Sequence, residues 1–138
     1  MTYVSHAQNY KTMKKSILLL LFSLTSLALS AQKTIYCVER EVCQWQESLP
    51  HKINCDKIKE ISNFRINADE SEIVHNTPQM RSVYTVNSSE TVNGVKVFIV
   101  TSDAGNNYTF TWNEKKKEMK ILAYFNAVIT FKVNRVEK

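Results

Sequence analysis

The chain has 138 residues, of which 43 % are hydrophobic and 22 % charged, with two Gly and two Pro. That length allows one domain, and that composition excludes collagen-like, low-complexity and disordered chains. The formal net charge is +5, but Lys11, Lys14 and Lys15 stand in an acid-free leader, leaving +2 on residues 32–138, too little to point to nucleic acid.

Ile17 to Leu29 form a 13-residue apolar run between Lys14-Lys15 and Ser30-Ala31-Gln32. A spanning helix needs about 20 apolar residues, so the run reads as a secretory signal peptide with cleavage expected after Ala31, or after Ser30 with Ala28 at the −3 position. Met13-Lys14-Lys15 is itself a complete basic start, so Met13 is the expected first residue. The reading gives a signal peptide over 1–31 and a single β-rich domain over 32–138. That domain is exported to the periplasm or the medium and has no membrane span. The first cysteine, Cys37, lies too far from the cleavage site for an acylated N-terminus.

Along 32–138 the segment Thr34 to Leu49 fits two patterns. Ile35, Val38, Val42, Trp45 and Leu49 form a helical stripe, while Tyr36, Val38 and Val42 also fit one face of a strand. Pairing with the hairpins that follow favours the strand. Asn54 to Ile61 reads as a short helix with Asn54 as its N-cap. Phe64–Asn67 and Glu72–His75 flank a polar connection of hairpin length, and Ser82–Val86 is the next strand. Asn93-Gly94 between β-branched residues is the strongest turn signal, because both positions require positive φ. Val95 to Thr101 is apolar on both faces except at Lys96, as expected of a strand covered on both sides. Tyr108, Phe110 and Trp112 alternate with threonines, Lys115 to Lys117 form a charged turn, and Met119–Phe125 and Val128–Val133 complete the set. The fold expected is mainly β, an antiparallel meander of about eight strands forming a small barrel or sandwich.

Cys37 and Cys43 on one extended strand would lie about 20 Å apart, beyond the roughly 7 Å Cα separation a disulfide spans. Cys55 must therefore take one of them, and the shorter closed loop favours Cys43, leaving Cys37 as a buried free thiol or a link to a second chain. Adding His51 gives a possible metal set, Cys37, Cys43, His51 and Cys55. Only His51 and Cys55 have the short spacing zinc ligands usually show, so no metal or other cofactor is expected.

Catalytic patterns are weak. His75, Ser102 and Asp103 include all three triad residue types, but no nucleophile elbow surrounds Ser102. Asp103, Asn106 and Asn107 offer fewer oxygens than calcium takes. Tyr108, Phe110 and Trp112 are core residues or, if the meander closes around a ligand, the lining of its pocket.

The leader ending Leu-Ala-Leu-Ser-Ala-Gln, the stretch Phe-Arg-Ile-Asn to Glu-Ile-Val-His-Asn-Thr, and Thr-Ser-Asp-Ala-Gly-Asn-Asn-Tyr resemble small exported β-meander proteins of Bacteroidetes-type bacteria. No activity comes with that resemblance, and a lipocalin-like barrel is the nearest fold with a name. The lipocalin Gly-x-Trp is missing, since Cys43 and Gln44 precede Trp45. The function expected is non-catalytic: binding of a small apolar ligand or an envelope protein. The alternative is a solid interaction module, acting as a monomer through a sheet edge or as a Cys37-linked dimer.

Overall fold

Eight antiparallel strands in chain order close into a barrel, each paired with its sequence neighbour and the last with the first. This computed structural model describes residues 32–123 and 126–138, and the expected signal peptide and the Met13 start lie outside the described residues. Gln32 to Lys138 form one compact unit. The strands are β1 (Lys33–Trp45), β2 (Lys52–Ile66), β3 (Glu72–Asn76), β4 (Arg81–Val92), β5 (Val95–Ser102), β6 (Asn107–Asn113), β7 (Glu118–Ala123) and β8 (Ala127–Glu137).

Alternation decides which face of each strand turns inward. Ile35, Phe64, Ile73, Phe98, Val100, Phe110, Met119 and Phe131 are all at most 2 % exposed. Edge-on aromatic contacts join them, with Phe64 against Phe131 at 4.9 Å and Phe110 against Tyr84 at 4.7 Å. The outward positions carry Thr109, Thr111, Lys120, Thr130 and Lys132. Among the described residues no helix is long and apolar enough to cross a membrane.

The turns follow from local chemistry. Asn93 and Gly94 have φ of 50° and 79°, the pair of left-handed residues that a two-residue hairpin of matching twist requires. In the β2–β3 turn, the Asn67 side chain accepts from the Glu72 amide at 2.9 Å, and Asp69 accepts from the Ser71 amide and hydroxyl. These bonds hold the Asp69 carboxyl below its ordinary range.

The structure corrects three expectations. Asn54 to Ile61 is not a helix but part of β2, whose residues pair with β1 from Lys52 to Ile66. Asn54 is no N-cap; it takes φ 51° at a register shift opposite Cys43, where the bulge and the Cys43–Cys55 bond override local preference. Val95 to Thr101 is covered on one side only, since Ile99 on the outer face is 41 % exposed. The strand expected over 119–125 is observed over Glu118–Ala123, and residues 124–125 lie outside the described set.

Strand β3 has five residues and pairs with β2 only over Asn63–Ile66. Lys52 to Ser62 of β2 therefore have no strand on that side among the described residues.

Candidate functional site

Two places gather chemically informative side chains, one inside the wall and one outside. The inner one depends on a bulge. Cys37 faces inward opposite Ser62, and the register then shifts between Cys37 and Glu39, so Arg40 rather than Glu39 shares the inner face with its β8 partner Phe131. Arg40 Nε lies 3.7 Å from Glu60 Oε1, an ion pair too long for a hydrogen bond, with both atoms fully occluded. His75 stacks flat on Phe64 at 4.1 Å and meets Phe131 edge-on at 5.2 Å. Its Nε2 is occluded and finds no hydrogen-bond partner among the described residues.

The electrostatics of this cluster oppose nucleophilic chemistry. Burial pushes the Cys37 thiol up to about 12, with the neighbouring Ser62 hydroxyl opposing by less, so the reactive thiolate is scarce near neutral pH. Burial first, and the Arg40 charge second, bring His75 down from 6.5 to about 4. The unfolded chain then binds a proton that the barrel excludes. Stability is therefore expected to fall as pH drops from 6.5 towards 4, by on the order of 3 kcal/mol, with no further loss from this group below that window. Chemical denaturation stepped through the window checks this, and His75→Gln should flatten the slope there.

The other sequence candidates are dispersed. Cys43 and Cys55 are bonded to each other, and Cys37 is free and 1 % exposed. The metal set Cys37, Cys43, His51 and Cys55 is not assembled. Two of its sulfurs are tied together, Cys37 faces the interior, and His51 stacks on Trp45 at 5.1 Å. Glu41 lies beside the bonded pair, but bonded sulfurs are not thiolate ligands. A link through Cys37 to a second chain would require the wall to open.

Ser102 caps its own turn, its hydroxyl accepting from the Asn106 amide at 3.1 Å, while His75 sits two strands away. The Asp103 amide donates to Val83 O at 3.0 Å, and the Asn107 side-chain oxygen accepts from Thr101 Oγ1 at 2.8 Å. Lys115 to Lys117 are exposed in the β6–β7 turn. Phe110 and Trp112 are 0 % and 3 % exposed, and Tyr108 packs at the margin of the same core. Phe110 and Trp112 are thus core residues, while Tyr108 also lines a surface pocket with Ile99 and Leu122.

The second place is a groove of about 530 Å³ on the outer surface, lined from β1, β2, β6, β7 and β8. Leu122, Ala123, Ala127 and Val128 line it together with Trp45, and Lys52 and Lys120 provide its charged groups. Register places the row: Leu122 opposes Val128, which opposes Cys43, and Leu122 also opposes Thr109, itself opposite Ile99. Trp45 and Leu122 are each 39 % exposed. Sequence reading misses this groove because the β7–β8 hairpin that supplies most of its lining is joined there by Trp45, Lys52 and Thr111 from strands far apart in the chain. One usable signal exists: Leu122 is apolar on the parity of β7 that Glu118 and Lys120 mark as outward. Comparison with known proteins finds no matching family model, no matching curated protein and no matching solved structure.

Proposed function

We propose that residues 32–138 are an exported, non-catalytic β-domain that holds a small apolar ligand in the groove on the outside of its barrel. One observation carries this reading: Phe110 and Trp112 of the face expected to line an internal pocket are buried in the core, while Leu122 and Trp45 stand 39 % exposed at an apolar groove. A volume of about 530 Å³ falls within the roughly 300–1,000 Å³ of ordinary small-molecule sites. An intramolecular disulfide is compatible with an oxidising, exported location. The protonated Cys37 and neutral His75 support a binding role over nucleophilic catalysis.

A second reading is favoured by the uncovered stretch Lys52–Ser62, a sheet edge to which an envelope protein could add a strand. Its exposed Asp56, Lys57 and Lys59 and its bulge at Asn54 are devices that discourage such pairing, so the groove is preferred.

A neutral solvatochromic dye separates the two. On the native protein its emission is expected to rise and shift to the blue, and Leu122→Asp is expected to abolish the change while leaving the near-ultraviolet spectrum intact. Dye binding untouched by Leu122→Asp, or no binding at all, would overturn the groove reading.

A further inference from the structure

Resting on the groove reading above, we infer that the ligand class is a single-chain anionic amphiphile, an aliphatic chain ending in a carboxylate or a similar acid. The apolar part of the groove, Leu122, Ala123, Ala127 and Val128, offers aliphatic contact without a hydrogen-bonding pattern, which suits a hydrocarbon chain more than a polar ring. Trp45 flanks it, its indole fixed by stacking on His51 with an interplanar angle of 13°.

Charge selects the head group. The groove is lined by two ammonium groups, Lys52 and Lys120, and by no carboxylate. Thr111 shares the outer row with Lys120, its partner across the β6–β7 pair, and adds a hydroxyl donor. Neither lysine is firmly engaged. Lys120 Nζ pairs with Glu118 at 3.1 Å, but both side chains are about a third exposed, and such pairs contribute only about 0–1 kcal/mol. Lys52 Nζ stands 3.9 Å from Glu41 and 3.5 Å from Thr130 Oγ1, the outer limits of contact. Lys52 Nζ reaches Thr130, the β8 partner of Lys120, so both lysines border the same part of the wall, and an acid arriving there exchanges weak, solvated partners for cations while a cationic head group meets repulsion.

The test uses the protein as it stands. Of its two tryptophans, Trp45 is 39 % exposed and Trp112 is 3 % exposed, so quenching by acrylamide reports mainly on Trp45. Dodecanoate and dodecyltrimethylammonium, both below their micelle concentrations, are titrated against that quenching. Dodecanoate is expected to protect Trp45 at a concentration about tenfold lower than the cationic chain. Lys52→Gln with Lys120→Gln is expected to remove that preference, and Leu122→Asp to weaken both chains. If both chains protect equally, the anionic class is overturned and the groove reading survives. If neither protects, both fall. Protection by phosphatidylglycerol vesicles but not by monomeric dodecanoate would overturn the inference in favour of a membrane surface.

Discussion

Phe110→Ala is expected to destabilise the domain by about 3–5 kcal/mol, the usual cost of removing a fully buried aromatic ring. Phe110 is 0 % exposed and meets Phe64 at 6.0 Å and Tyr84 at 4.7 Å, both edge-on, so its loss leaves a void bounded by other rings. Domains of this size are stable by only about 5–15 kcal/mol, so one substitution removes a large part of the total. Guanidinium denaturation monitored by circular dichroism measures it. The size of the loss is informative about function as well. A ring lining an open ligand pocket already lacks neighbours on one side, and its removal would cost roughly half as much, whereas a ring packed on all sides gives the full penalty.

Removing the disulfide is expected to have the next largest effect. The Cys43–Cys55 bond closes a separation of 12 residues, for which chain entropy gives about 3 kcal/mol. Its position concentrates the effect, because it ties β1 to the part of β2 that no β3 residue pairs with. In Cys43→Ala with Cys55→Ser, denaturation is expected to show a loss of about 2–4 kcal/mol. Hydrogen exchange is expected to rise first in the β1–β2 ladder around Val42–Asp56, ahead of the β5–β6 ladder. A loss below about 0.5 kcal/mol would mean that this hairpin end is held by β8 and the Gln46–His51 backbone bond alone.

How far the sequence reveals this architecture depends on whether the information is local. Asn93-Gly94 requires left-handed backbone whatever surrounds it, and Tyr108-Thr-Phe-Thr-Trp112 alternates cleanly, so both are readable in isolation. Asn54 to Ile61 is polar and charged without alternation; only its pairing with β1 and the Cys43 bond make it a strand. The inward turn of Arg40 depends on a single inserted residue near Val38, which reverses the parity for the rest of β1 and which no propensity marks. Strand geometry keeps Cys37 and Cys43 apart and so makes Cys55 a partner, but only the shorter loop favours Cys43 over Cys37, and the structure decides for Cys43. The groove is less accessible, since Trp45, Leu122 and Val128 become neighbours only when β8 closes against β1 and β7.

On the proposed reading the ligand binds in the outer groove and not among the packed rings of the core. Chemical-shift mapping of isotopically labelled protein during dodecanoate titration tests it most directly. The expected result is perturbation of the Trp45 indole and of the amides of Lys120, Leu122 and Val128, with the ring and methyl signals of Phe64, Tyr84, Phe110 and Ile73 unchanged. Saturable shifts confined to those interior side chains would contradict it, because they would mean that the barrel opens and takes its ligand within.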